Sequence, residues 1–232
     1  RLGRGRGGGE AGEPRRRGPA RLHLGWLRAR PTRLHALVVS LLVIAQLEAK
    51  RIDLTLAPVD VQALASRSIE SARPAATEKG VSLELITDHP PDVVADSIRI
   101  AQVIDNLVSN AVKFTNEGGS VTVSVEADGD GLLLRVADTG IGIPREEHGQ
   151  IFSRFFRAST ATRQVIPGTG LGLAISRALV EQHGGPITLT SPQGEGTDVT
   201  VTLRTSQSGM PLGSRVGAAG PRKGVSRPPH GA

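Results

Sequence analysis

Asn106 and Asn110 stand four residues apart in the run Asn-Leu-Val-Ser-Asn-Ala-Val-Lys that ends at Lys113. On a helix this spacing puts both carboxamides and the ammonium on one stripe with Arg99 and Gln102, within about 80 degrees of one another. An amide oxygen can ligate a hard dication such as magnesium, and a lysine ammonium can meet a phosphate. Asp138 is followed at once by Thr139, Gly140, Ile141 and Gly142. A carboxylate there can accept a hydrogen bond from an exocyclic amine such as that of adenine, and the glycines let a flat ring approach the backbone. Gly168-Thr169-Gly170-Leu171-Gly172 opens an apolar helical run, where free N–H groups and the helix dipole suit an anion. Gly194-Glu-Gly-Thr197 completes the series. In this order the four stretches supply the parts of a pocket for ATP and magnesium, although any one alone is a weak signal.

Taken singly, each has a plainer reading. A polar stripe on an amphipathic helix is ordinarily its wet side. Against that, asparagine is an indifferent helix former, and two of them sit one turn apart with a lysine on the same stripe. Asp-Thr-Gly can be a simple turn after an edge strand. The glycine triplet can be a tight helix entry, and it is no dinucleotide fingerprint because no strand directly precedes it.

These residues need a scaffold, and the periodicity provides one. Leu34 to Leu47 repeats apolar residues at helical spacing, giving a wide stripe that must meet another helix, in its own fold or in a second subunit. Pro58 stops the segment after Leu54-Thr-Leu. Asp60 is a candidate N-cap for a helix running toward Lys79 and closed by Gly80, with Pro74 expected to kink or shorten it. Val81 to Thr87 alternates as a half-buried strand, and the acidic loop Asp88 to Asp96 ends in a second N-cap for the helix Ser97 to Phe114. Ser120 to Ala127 and Leu132 to Asp138 form a hairpin around Asp128-Gly-Asp-Gly131. Leu171 to His183 reads as a helix stopped by Gly184-Gly185, and Ile187 to Thr190 pairs with Asp198 to Arg204 around Pro192 to Gly196. The expected fold is α+β: one mixed sheet with helices on one face, a two-layer sandwich.

Between the glycine motifs lies a long irregular segment, Arg145 to Pro167. Phe152, Phe155 and Phe156 are expected to anchor it as a mobile lid, with Arg154 and Arg157 either reaching phosphate or simply solvated.

Residues 1–33 carry ten arginines against Glu10 and Glu13, and residues 205–232 carry four basic residues and no acid. Removing both from the whole-chain charge of +6 leaves residues 34–204 at −6, so the basicity belongs to the ends and no nucleic-acid partner is expected. Both ends read as disordered by composition. The chain has no cysteine, which excludes disulfides and thiolate metal sites. The apolar run Ala36 to Leu47 is about half to two thirds of what a membrane span needs, and the basic start lacks the pattern of a signal peptide. A cytoplasmic chain with no transmembrane segment is expected.

The ordered motifs resemble the catalytic ATP-binding domain of sensor histidine kinases, of GHKL type: an N box (Asn106 to Lys113), a first glycine box (Asp138 to Gly142), a phenylalanine box (Phe152 to Phe156), a second glycine box (Gly168 to Gly172) and the final Gly194-Glu-Gly-Thr197. The resemblance covers about residues 78–204. It implies a Bergerat-type two-layer fold in 58–204, with 34–57 similar to the end of a dimerisation helix and its linker. It further implies that Asn110 ligates magnesium beside Asn106, Lys113 touches phosphate and Asp138 reads adenine. Gly140, Gly142, Gly168, Thr169, Gly170, Leu171, Gly172 and Thr197 would line the nucleotide, and Arg157 would help close the lid. A response regulator and a homodimer through the N-terminal helix are the partners it implies. In topoisomerase and mismatch-repair relatives of this fold a glutamate one turn before the metal-binding asparagine activates water. Asn106 holds that position here and cannot act as a general base, so phosphoryl transfer is expected in preference to hydrolysis.

One departure is large. Such kinases carry a phospho-accepting histidine followed by an acid and then Arg-Thr-Pro or something near it, and none of the six histidines here has that context. Truncation, an incorrect start or a frameshift would each account for this. The acceptor would then lie on another polypeptide. A non-transferring ATP-binding remnant and a serine-directed relative remain as alternatives.

Overall fold

The computed structural model describes Ala45 and residues 53–205. Ala45 is helical; the rest of the Leu34 to Leu47 stripe and the arginine-rich ends fall outside the described residues, as does the dimerisation helix expected there. From Leu54 onward the chain is built into the fold: Leu54 is buried, and the Thr55 amide donates to Asp96 Oδ2 at 3.0 Å.

The elements run β1 (Ala57–Val59), α1 (Val61–Lys79), β2 (Ser82–Thr87), β3 (Val93–Ala95), α2 (Ser97–Phe114), β4 (Ser120–Asp128), β5 (Gly131–Asp138), a 3₁₀ turn (Arg145–Glu147), α3 (Ser159–Arg163), α4 (Gly172–Gln182), β6 (Ile187–Thr190) and β7 (Thr197–Arg204). Five strands form one mixed sheet in the order β2-β4-β5-β7-β6. Only β2 and β4 pair in parallel, so the chain between them must cross over, and α2 makes that crossover. The β4–β5 hairpin turns through Gly129 and Asp130, with Gly129 supplying the positive φ of 57°.

Alternation decides which face is covered. On β5, Leu132, Leu134 and Val136 are buried while Arg135 is exposed; on β7, Val199, Val201 and Leu203 are buried. Those side chains meet Ile100, Val103, Ile104, Leu107 and Val108 of α2, Leu64 and Ile69 of α1, and Ile175, Leu179 and Val180 of α4 in one core. The opposite face is polar, and there Arg135 Nε donates to Asp198 Oδ2 at 2.7 Å across the β5–β7 pair. The two-layer α+β sandwich expected from the sequence is the observed fold.

Three local expectations are corrected. Pro58 does not end a segment: it sits in β1, paired antiparallel with β3 in a separate two-stranded ribbon, Pro58 opposite Val94. A ribbon with free edges tolerates a residue that cannot donate. Pro74 neither stops nor shortens α1, because it is on the exposed side, where the carbonyl its ring frees can meet water. The acidic loop before Asp96 contains β3, three residues too short to show a period.

Both expected N-caps are in place, in different settings. Asp60 is exposed and accepts one amide, Ala63, at 2.8 Å. Asp96 is buried; its Oδ1 accepts from Ile98 and Arg99 at 3.0 and 3.1 Å, and its Oδ2 accepts from Thr55. The Asp96 amide donates to His183 Nε2 at 3.0 Å, which leaves the His183 Nδ1 proton for the Leu179 carbonyl at 2.7 Å. Burial holds the His183 pKa below the usual histidine range. The start of α2 is thereby fastened to the end of α4. Asp60→Ala should cost about 1 kcal/mol and Asp96→Ala about 2–4 kcal/mol, because the latter takes the acceptor from three part-buried amides at once. Urea titration followed by circular dichroism measures both, and equal losses would show that burial of the Asp96 cap is immaterial.

Candidate functional site

Gln102, Asn106, Asn110 and Lys113 lie along one half-buried stripe of α2, as the wheel requires, while the other side of that helix is in the core. The stripe meets α4 directly. Asn106 Nδ2 donates to Ser176 Oγ at 2.8 Å, and Asn110 Nδ2 donates to Asn106 Oδ1 at 3.5 Å. Gly172 is packed so closely on Asn106 that a β-carbon there would stand 2.2 Å from Oδ1. A β-carbon on Gly168 would stand 2.9 Å from Lys113 Nζ, and the same Nζ lies 4.7 Å from the centre of the Phe114 ring. The second glycine box is thus laid on the N-box stripe. Leu171, at the mouth of α4, has no side-chain cap, and its amide donates to Thr169 Oγ1 at 3.3 Å. Such a helix start is suited to an anion.

The second half of the site surrounds Asp138 at the end of β5. Its Oδ1 accepts from the Gly140 amide at 2.8 Å. Burial pushes this carboxyl up to about 6, against the pull of the Gly140 and Thr197 amides. Gly196 abuts the Asp138 carbonyl, with room for no side chain, and Gly142, at φ 61°, lies against the Pro192 carbonyl. Buried Ser191 joins the two loops: its hydroxyl accepts from the Ile143 amide at 2.9 Å, donates to the Gly196 carbonyl at 2.8 Å and lies 2.9 Å from Thr197 Oγ1. His148 Nε2 faces two carbonyls, Ile143 at 3.0 Å and Ser191 at 2.8 Å, so that nitrogen carries the proton. The C-terminus of α2 also reaches this half, since the Ile141 amide donates to the Phe114 carbonyl at 3.2 Å.

Between the halves, Ile143, Ile151, Ala158 and Ala161 make a small second core with Phe114, Phe152 and Phe156. Two of the three expected anchors therefore hold the segment. Phe155 does not: it is 63% exposed at φ 61°. Gly170, at φ 71°, lies against the backbone of Phe155 and Phe156. Arg157 is exposed and donates to the Ile166 carbonyl within the same segment. The segment is less irregular than expected, because it includes the 3₁₀ turn and α3.

The predicted residues meet in pairs more than around one chamber. A cavity of about 460 Å³ is lined by Gly140, Ile141, Thr160 and Arg163, and another of about 560 Å³ by Lys79, Asn106 and Lys113. Asn110, Asp138 and Gly170 line neither. Ser176, Ser191, His148 and Lys79 escaped sequence reasoning. Lys79 donates to the carbonyls of Val112 and Lys113 at 3.0 and 2.5 Å, placing a cation at the negative end of α2, and burial lowers its pKa. No motif marks any of the four, since a lone serine, histidine or lysine gives no signal until its neighbours in space are known.

Residues 95–207 match the family model described as histidine kinase-, DNA gyrase B-, and HSP90-like ATPase. The structure of the mycobacterial sensor histidine kinase MprB superposes with a TM-score of 0.58 at 32% identity, over 64% of this chain and 97% of that one. The chain belongs to this ATPase family, with a domain of the histidine-kinase type. Full-length ShkA in complex with AMPPNP is similar at a TM-score of 0.68 and 35% identity, covering 78% of this chain and 38% of that one. The circadian input-output histidine kinase CikA of Synechococcus elongatus is 39% identical over 170 residues, 72% of this chain and 22% of that protein. The sensor histidine kinase WalK of Bacillus subtilis is 44% identical over 113 residues, 48% of this chain and 18% of that protein. The chain thus spans about a fifth of these two curated relatives. Among the described residues no helix is long and apolar enough to cross a membrane.

The Asp138 carboxyl makes the domain's stability depend on pH in a definite direction. With a folded pKa near 6, above its ordinary value, it favours the fold fully only below about pH 4, and that contribution disappears as pH rises through 6. Asp138→Asn should therefore match the parent near pH 4 and exceed it at pH 7.5 by on the order of 1–3 kcal/mol in the ligand-free domain. Paired thermal melts across that range measure the difference, and a gap independent of pH would contradict the assignment.

Proposed function

We propose that this chain is the catalytic module of a two-component sensor kinase: it binds magnesium ATP and presents the γ-phosphate to a histidine that is not among the six of this sequence. The observation that carries this reading is the seating of the second glycine box on the N-box stripe, Gly172 on Asn106 and Gly168 on Lys113. That contact puts a helix N-terminus, a lysine and two amides at one place, as binding a polyphosphate needs. Asp138, with its carboxyl held up to about 6 by burial, gains when an amine donor arrives, because a hydrogen bond to the ionised form repays its desolvation.

Among the described residues no group of three or more His, Cys, Asp or Glu converges to hold a metal. Magnesium bound with phosphates keeps several waters and takes few protein ligands, so a site that includes one amide oxygen needs no such group. Asn110 would hold the ion, which would supply charge neutralisation when bound. Asn106 would stand beside that amide, Lys113 would touch the phosphates, and Arg157, turning from Ile166, would reach them from the lid. Asp138 would read adenine, with Gly140, Gly142 and Thr197 beneath the ring and Gly168, Thr169, Gly170, Leu171 and Gly172 along the phosphates. Catalysis would then be mostly positioning and charge stabilisation. A response regulator as downstream partner, a homodimer through the Leu34 to Leu47 stripe and a cytoplasmic location belong to the same reading, as do the domain limits 58–204. The charge of −6 outside the tails supports the absence of a nucleic-acid partner.

Incubation with γ-labelled ATP and a separately supplied acceptor helix should put acid-labile label on that helix, with a loss of at least about tenfold in Asn110→Ala. Binding of ATP without any label would reduce the chain to a nucleotide-holding module, and acid-stable label would make it serine-directed. Steady ATP turnover by the purified chain should be slow, since Asn106 cannot accept the proton of water. Fast turnover that disappears in Asn106→Ala would contradict this part of the reading.

A further inference from the structure

Gly172 and Ser176 are four residues apart on α4 and so face the same way. Both meet the carboxamide of Asn106. Gly172 leaves the space for it, since a β-carbon would collide with Oδ1 at 2.2 Å, and Ser176, only 1% exposed, accepts its Nδ2 at 2.8 Å. Together the two contacts hold the Asn106 side chain in one place. A flipped amide could still bond Ser176, whose hydroxyl donates as well as accepts, but it would set its NH₂ against the NH₂ of Asn110. With the amide held, Asn106 Oδ1 is the acceptor for Asn110 Nδ2 at 3.5 Å, and the Asn110 oxygen is the end turned away from Asn106.

We propose that Ser176 is a positioning residue for the cation-binding amide of Asn110, acting through Asn106. This rests on the nucleotide reading above and deepens it. The serine hydroxyl anchors the Asn106 carboxamide, Asn106 takes up the NH₂ of Asn110, and an oxygen is left facing the place where a hard cation and a phosphate would meet. A hydroxyl buried against a helix neighbour need do no more than satisfy that neighbour. The relay makes a further demand: its loss must weaken the response to magnesium and leave the attraction for the nucleotide itself.

The test is calorimetric titration of the purified full chain with ATP, in magnesium and in EDTA, together with thermal melts. Ser176→Ala and Ser176→Cys both keep the shape and remove the oxygen acceptor, so either can carry the test if the other folds badly. The parent should bind ATP more tightly in magnesium. Each variant should lose about tenfold or more of that tightening, in line with the effect of residues that orient a metal ligand, while its affinity in EDTA stays within about twofold. Ser176→Thr, which retains a hydroxyl, should recover most of the tightening. Tightening retained in a folded Ser176→Ala or Ser176→Cys chain overturns this inference alone. A parent chain that binds no ATP, or whose binding magnesium leaves unchanged, overturns the nucleotide reading and the relay with it.

Discussion

The Asn106 carboxamide lies where it does only because position 172 carries no side chain. A helix that must fill the centre of a core cannot also stand clear of its neighbours, so any ligand-binding group on it has to find room between packed helices. Here the room comes from a glycine on the facing helix, and the acceptor that steadies the amide comes one turn later on the same helix. Much of the remaining geometry follows. Because α4 is pressed against the stripe at Gly172, its uncapped start is delivered to Lys113 through Gly168. The far end of α4 is tied to the start of α2 by His183 and Asp96. The two helices are held at both ends, and the polar stripe between them is presented as a rigid strip.

The large elements could be read from the chain because their signals are long and redundant. Val81 to Thr87, the Asp128 to Gly131 turn and the apolar faces of α2 and α4 each repeat a period several times, and the structure returns them within a residue or two. The ribbon of β1 and β3 was illegible because three-residue strands have no period, and Pro58 read as a stop when an edge tolerates it. The motif glycines announced themselves by type, although what each one touches was hidden. That Gly172 rests on Asn106 and Gly196 on the Asp138 carbonyl is a tertiary fact. Ser176 and Ser191 were invisible for the same reason, since a buried serine is ordinary in sequence and acquires meaning only from what lies opposite. Phe155 misled by company: flanked by two anchoring phenylalanines, it nonetheless points to solvent because its backbone is turned to positive φ.

In the role proposed for it, Asp138 would meet a conflict between holding a ligand and holding a fold. Its carboxyl is at the end of a core strand and partly stripped of water, a loss that the Gly140 and Thr197 amides do not make up, so ionisation at neutral pH works against the folded state. An amide in its place would be more comfortable. A charge kept in such a setting is what a donor on a ligand can compensate, and the compensation is specific because the surrounding backbone, at Gly140 and Thr197, fixes where the carboxylate points. In the proposed pocket the same residue would set both the stability of the domain at neutral pH and its selectivity for the base.

The chain leaves β5 at Asp138, passes through the phenylalanine box and α4, adds the edge strand β6, and returns beside β5 at Thr197. It does so because β5 and β7 are partners throughout their length, from Gly131 opposite Arg204 to Asp138 opposite Thr197. The two attachment points of this excursion are therefore clamped side by side whatever lies between them. Chain inserted into its irregular part, ahead of α4, adds only the slowly growing entropy of a longer loop, about 0.6 kcal/mol for each doubling. Length there is consequently almost a free variable for this architecture, and it can be altered extensively without disturbing the ladder that anchors both ends.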